Sequence, residues 1–237
     1  MSLVREISGV KYYRYDIEKF PFVKLVQDCF NISDLSKIHE LIEEDSSSAL
    51  FTNENDDQTL LHQMFYGKLR ESWPEFDKTY RDFIKDFISK IYDTEEIIFQ
   101  TSPTFRVQIP NNIAVGGNSH DTEDQYGWHK DSDPGYNHPL NENNFIIPLT
   151  NSRETASVFI EDSPNSESFT SALMNVGETF NFDGGRCKHG NKRNVTGLSR
   201  VSFDFRVILP KDYNEDYSKN SKISTKKFIV GEYYDRI

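Results

Sequence analysis

The run YGWHKDSD at 126–133 sets an imidazole and a carboxylate, His129 and Asp131, two positions apart. On an extended strand, positions i and i+2 project to the same side, so both can reach one ion from a single edge. A His-x-Asp pair is short enough to arise by chance. It gains weight from KHGNKRNVTGLSRVSFDFRV, which begins at Lys188 and brings His189, 58 positions beyond Asp131. Arg200 follows 11 positions after His189, and Ser202 two after that. Two imidazoles and one carboxylate with open positions form the facial set that holds Fe(II) in non-haem oxygenases. Arg200 and Ser202 share a strand face and offer a guanidinium fork and a hydroxyl to a distal carboxylate.

Each of these residues also has an ordinary structural explanation. His129 could be a strand histidine hydrogen-bonded beside Trp128, and Asp131 with Asp133 and Pro134 could open a turn. His189 stands between Gly184-Gly185 and Gly190, where a hairpin could need it, and Arg200 could be a surface cation. Ser202 and Asp204 on the face of Arg200 favour an interior anchor. Arg206 has the same parity and is the alternative anchor or a substrate contact. His120 and His138 flank the motif as weak metal candidates, while His39 and His62 fall in helical segments with structural or exposed roles. Asn194-Val195-Thr196 marks the turn between the last two strands, and Cys187 reads as a packed small hydrophobe.

The elements that must position these side chains fall into two parts. Pro74 to Tyr92 carries Phe76, Tyr80, Phe83, Ile84, Phe87, Ile88, Ile91 and Tyr92 at helical spacing, one stripe laid on something larger. Ser33 before Leu35, Ile38 and Leu41 predicts a short helix with a serine N-cap, and SSS at 46–48 with NENDD at 53–57 predicts loops. From Thr104 the pattern becomes short strands: TFRVQI, NFIIPLT, ASVFIE, ETFNF and RVSFDFRVIL, divided by turn clusters. Such strands make a sandwich or barrel. Arg106 and Gln108 share one face of the first of them, which predicts a wet lumen or a solvent-facing strand. The 237 residues suit one domain, with 1–100 a mainly helical support, 101–210 the catalytic core and 211–237 a C-terminal extension.

Composition removes whole classes of function. With 27 Lys+Arg against 38 Asp+Glu the net charge is −11, which disfavours nucleic acid and anionic membranes. Residues 186–237 reverse the balance, with 12 basic against 6 acidic side chains, through either an anionic ligand or a basic segment packed on an acidic body. The 18 Phe and 12 Tyr argue for a folded domain, and two cysteines without a CxxC spacing fit a reducing compartment. No apolar run approaches signal-peptide or membrane-helix length, so the expected setting is cytoplasmic.

The stretch GWHKDSDPGYNHPLNENNFIIPLT, then ASVFIEDSP, VGETFNFDGGRCKHGNKRN and SRVSFDFRVI, resembles the Fe(II)/2-oxoglutarate-dependent dioxygenase superfamily over roughly residues 100–210. It is most similar to the bacterial branch of the streptomycin-biosynthesis type and, more remotely, phytanoyl-CoA hydroxylase. The resemblance implies a mainly β protein with N-terminal helices and a double-stranded β-helix (jelly-roll, cupin-like) core. It implies His129, Asp131 and His189 as iron ligands, and Arg200 with Ser202 as the partner of the 2-oxoglutarate C5 carboxylate. Asn144 is expected as a second contact to 2-oxoglutarate. The cofactors implied are Fe(II), 2-oxoglutarate as cosubstrate and O2, with substrate hydroxylation accompanied by release of succinate and CO2. A carboxylate at 131 argues against halogenation, for which that ligand is vacated, whereas desaturation, ring closure and epimerisation stay open. Arg106, Gln108, Trp128, Glu161 and Arg206 are the expected substrate pocket, whose mixed polarity suits a small polar metabolite such as an amino acid, a sugar or a biosynthetic intermediate. The competing expectations are a cupin-like metal enzyme without 2-oxoglutarate and a non-catalytic jelly-roll binding protein.

Overall fold

The computed structural model describes residues 3–42, 59–113, 126–220 and 226–237. The loops expected at 46–48 and 53–57, and His120, lie outside them. In chain order the strands are β1 (Leu3–Ile7), β2 (Val10–Arg14), β3 (Ile98–Gln100), β4 (Thr104–Gln108), β5 (Tyr126–His129), β6 (Asn143–Pro148), β7 (Val158–Glu161), β8 (Phe169–Ser171), β9 (Glu178–Phe182), β10 (His189–Asn191), β11 (Arg200–Ile208) and β12 (Tyr234–Arg236). The α-helices that cover them are α1 (Phe22–Phe30), α2 (Leu60–Glu71) and α3 (Pro74–Phe83).

Two antiparallel sheets result. The larger runs β1-β2-β9-β6-β11-β3-β12, with β4 also paired to β11, and the smaller runs β5-β10-β7-β8. Strand β11 is the centre of the larger sheet. One of its edges pairs with β6 over Ser202–Val207, while the other is shared by β4 over Arg200–Asp204 and by β3 at Val207–Ile208.

The sequence of β11 explains the layering. In RVSFDFRVI every second residue, Val201, Phe203, Phe205 and Val207, is apolar and buried in one cluster with the helical side chains. Phe203 meets Phe22, Phe65 and Phe76 at ring-centroid distances of 6.0, 5.5 and 5.4 Å, so this face carries α1, α2 and α3. The alternate residues Arg200, Ser202, Asp204 and Arg206 project from the opposite face. A second apolar cluster, with Ile146 and Phe180 from the large sheet and Val158 and Ile160 from the small one, joins the sheets beside that polar row.

The elements around this core add to those expected from the sequence, and the Ser33 cap is corrected. Besides their helices, the first hundred residues supply β1, β2 and β3 to the large sheet. β1 and β2 form a hairpin whose two loop residues, Ser8 and Gly9, both have positive φ (47° and 75°), the geometry a tight twisted hairpin requires. The C-terminal segment likewise supplies β12, paired with β3. The short helix at Leu35–Leu41 is a 3₁₀ helix, and its N-cap is Asp34, whose carboxylate accepts the Ser36 N–H, rather than Ser33. The long stripe from Pro74 is helical to Ile91 but passes through a π turn at Ile84–Ile88, which keeps Ile84, Phe87 and Ile88 all buried. Among the described residues no helix is long and apolar enough to cross a membrane.

Phe65 of α2 stacks on Phe105 of β4 at 4.2 Å and touches Trp73, Phe76 and Phe203. Phe65→Ala is expected to cost about 3–5 kcal/mol. Urea unfolding followed by circular dichroism and by tryptophan fluorescence should shift together to a lower midpoint, whereas separate transitions would show that the helices fold apart from the sheets.

Candidate active site

The register of the small sheet closes the long gap between the two histidines. β10 pairs antiparallel with β5 so that His189 and His129 are direct partners, and their rings lie 4.6 Å apart. Asp131, two residues past His129, is 1% exposed and anchored by its N–H to the Gly184 carbonyl at 2.9 Å. Its Oδ1 stands 3.2 Å from His129 Nε2 and 3.6 Å from His189 Nε2.

The far side of each ring decides what its near side offers. His129 Nδ1 donates to the Gly127 carbonyl at 2.5 Å, and His189 Nδ1 donates to the Cys187 carbonyl at 3.1 Å. With the proton held on Nδ1, each Nε2 turns a lone pair inward. Burial, reinforced by His129, pulls the His189 imidazole down to about 4, so it is neutral at ordinary pH. Burial opposes ionisation of Asp131, but the Arg206 guanidinium beside it prevails and holds the carboxyl well below the usual carboxylate range. Asp131 Oδ1 is buried and accepts no hydrogen bond. Two imidazole nitrogens and one unengaged carboxylate oxygen, all within 4.8 Å of one another, fit a divalent iron with open positions.

The cavity over this group is lined from the large sheet by the polar row of β11. Arg200, 1% exposed, gives Nη2 to Asn191 Oδ1 at 2.8 Å, while its Nε and Nη1 have no partner. Burial, with the Arg106 charge adding, pulls this guanidinium down to about 9. A buried cation with unused donors calls for an anion, and a carboxylate matches its fork. Ser202 is buried on the same face and lines the same cavity.

The other expected residues divide between the cavity wall and its surroundings. Arg206, which lines the cavity, sends Nε and Nη2 to Asp131 Oδ2 at 3.1 and 3.0 Å and Nη1 to Asp204 Oδ2 at 2.7 Å, so it grips an acid pair. Asn144 also lines the cavity and donates Nδ2 to the same Asp131 oxygen at 2.5 Å, while its buried Oδ1 has no partner. Arg106 lines the cavity with its Nε on Asp204 Oδ1 at 2.8 Å. Gln108 is fully buried and gives its amide to the Asn112 and Lys192 carbonyls at 3.3 and 2.7 Å. Trp128, next to His129 and therefore of opposite parity, packs on Phe159 and Phe169 and donates to the Asn191 carbonyl. Glu161 accepts the main-chain N–H groups of Lys188 and Glu167 at 2.9 and 3.0 Å. None of these last three lines the cavity; the polar atoms of Trp128 and Glu161 are engaged by main chain, while Gln108 keeps a buried Oε1 without a partner.

Two site residues went unrecognised in the sequence. Asn191 holds Arg200, and its i+2 spacing from His189 was a usable signal. Tyr136 stacks on the His129 ring at 3.9 Å, and nothing in the spacing announced it. His138 forms a second group with Asp131 and Glu142. There the Glu142 oxygens are occupied, one by His138 Nδ1 at 2.7 Å and the other by the Tyr234 hydroxyl, which ties the C-terminal strand to the back of the site.

No protein-family model matches the chain. It is 30% identical over 224 residues to the streptomycin biosynthesis protein StrG of Streptomyces griseus, covering 94% of this chain and 96% of that protein. Among solved structures it is similar in fold to SnoK, the non-haem α-ketoglutarate-dependent carbocyclase from nogalamycin biosynthesis. That match has TM-score 0.51 at 11% identity, over 97% of this chain and 92% of the other. The epimerase SnoN from nogalamycin biosynthesis matches with TM-score 0.49 at 10% identity, over 96% and 93% of the two chains.

Gly190, between His189 and Asn191, sits so close to Trp128 that a Cβ there would lie 2.3 Å from the indole Cδ1. Gly190→Ala must push the indole away and is expected to cost about 1–3 kcal/mol. Thermal unfolding and the tryptophan emission maximum should both move, while an unchanged spectrum would show that the strand absorbs the methyl group.

Proposed function

Because the chain belongs to the streptomycin-biosynthesis branch of the Fe(II)/2-oxoglutarate-dependent dioxygenase superfamily, we propose that it hydroxylates a small polar metabolite, with release of succinate and CO2. Its cofactors are Fe(II), 2-oxoglutarate and O2. In this reading the two sheets are the double-stranded β-helix of that superfamily, residues 1–237 are one domain, and the cytoplasm is its setting. His129, Asp131 and His189 hold the iron through two Nε2 atoms and Asp131 Oδ1. When bound, the iron supplies oxidative decarboxylation of 2-oxoglutarate and the means to break a substrate C–H bond.

The single observation that carries this reading is the pairing of two unsatisfied sites at one cavity: the free Asp131 Oδ1 beside the two imidazoles that line it, and the free Nε and Nη1 of Arg200, which lines it as well. A metal-and-carboxylate cosubstrate satisfies both at once. Arg200 takes the C5 carboxylate in its fork, Ser202 adds a hydroxyl, and Asn191 keeps the guanidinium pointed inward. Burial of Arg200 removes the water that would compete for that carboxylate and strengthens the ion pair. The same carboxylate restores the charge that burial disfavours on Arg200. Tyr136 and the carbonyls of Gly127 and Cys187 keep the imidazoles from turning. StrG, named for streptomycin biosynthesis, supports a biosynthetic substrate.

The test is anaerobic Fe(II) titration with and without 2-oxoglutarate, watching for the weak visible charge-transfer band of the chelate. Wild type should show the band only with both components. His129→Ala should abolish it, and Arg200→Ala should demand at least about tenfold more 2-oxoglutarate, the loss of a charge-assisted contact. A folded, metal-loaded protein without the band would reject 2-oxoglutarate as cosubstrate and favour a cupin-like metal enzyme.

A further inference from the structure

We propose that Arg206 and Asn144 act as a brace that makes Asp131 a one-oxygen ligand, presenting Oδ1 to the metal and withholding Oδ2. The inference rests on the assignment of the metal to His129, Asp131 and His189. It gives Arg206 a positioning role in place of a substrate contact.

The two oxygens of Asp131 are treated oppositely by the fold. Oδ2 receives three donors, Arg206 Nε at 3.1 Å, Arg206 Nη2 at 3.0 Å and Asn144 Nδ2 at 2.5 Å, whereas Oδ1 receives none. Three donors fill the lone-pair space of one carboxylate oxygen. An aspartate without such donors could turn over or chelate through both oxygens. Chelation would take one of the three octahedral positions that two imidazoles and a single oxygen leave open. Two of those positions are needed for a chelating 2-oxo acid and the third for O2.

The brace is itself held on every side. Arg206 and Asn144 are direct cross-strand partners on β11 and β6, as His189 and His129 are on β10 and β5. Asp131 thus lies between one residue pair from each sheet and is hydrogen-bonded by the pair from the large one. Arg206 Nη1 is tied to Asp204 Oδ2 at 2.7 Å, and Asp204 Oδ1 to Arg106 Nε at 2.8 Å, an alternating row of four charges. Asn144 is pinned by Gly184, where a Cβ would fall 2.5 Å from its Nδ2.

The test reads metal binding without turnover. Mn(II) is titrated into the full-length protein in the absence of 2-oxoglutarate, with affinity followed by electron paramagnetic resonance and bound waters counted by water-proton relaxation. Wild type should retain the three waters left by three protein donors. Arg206→Gln and Asn144→Ala should each weaken Mn(II) by about 10–100-fold, as loss of outer-shell partners does, and change the water count. Arg206→Lys, with the charge but one donor group, should recover part of the affinity. If Arg206→Gln fails to fold, Asn144→Ala carries the comparison, since it leaves the charge row intact. Wild-type affinity and three waters in the folded brace variants would overturn the proposal. Wild-type Mn(II) binding by His129→Ala would instead overturn the metal assignment beneath it.

Discussion

A carboxylate buried to 1% exposure must be paired, and the pairing of Asp131 organises the whole centre of the molecule. The acid leaves the end of β5 in the small sheet, but its compensating cation, Arg206, stands on β11 in the large one. Asp131 takes its cation from the other sheet, and Arg206 divides its donors between Asp131 and Asp204. The polar row on β11 is tolerable only because Arg106, Asp204, Arg206 and Asp131 neutralise one another in sequence. Arg200 lies in the same row with donors left over, and that exception is where the structure asks for a ligand.

Buried ion pairs contribute little net stability, so the strand that bears them has to be held from its other face. That is the task of the aromatic layer. Phe203 and Phe205 turn away from the cavity into rings supplied by α1, α2 and α3, and each buried ring contributes through both apolar area and edge-to-face contact. One strand therefore has a face whose burial is favourable and a face whose burial is costly but chemically useful. A donor set on paired strands also varies less in position than one on loops, which suits a site whose tolerance is a fraction of an ångström.

The two ends of the chain do more than cover the core. The N-terminal hairpin extends the sheet beyond β9, and the C-terminal strand reaches the back of the site through Tyr234, Glu142 and His138. Their short strands lie far from the motifs in sequence. The hairpin had a local signal, Ser8-Gly9 between alternating side chains, but Tyr234–Arg236 is too short for periodicity to reveal.

By itself the sequence determined the chemistry on offer. The i, i+2 pair His129 and Asp131, the later His189 and the parity of Arg200 with Ser202 follow from strand geometry, because side chains on a strand alternate whatever the strand packs against. Parity also fixed which face of β11 was apolar. Tertiary structure decided how the donors are used. Only register places His189 opposite His129, and only the meeting of two sheets assigns Arg206 and Asn144 to one oxygen of Asp131. Sequence spacing says on which side of a strand Arg206, Glu161 or Trp128 projects. It is silent on whether an acid, a main-chain N–H or an aromatic ring waits there, since those partners come from elements separated by tens of residues and brought together only by folding.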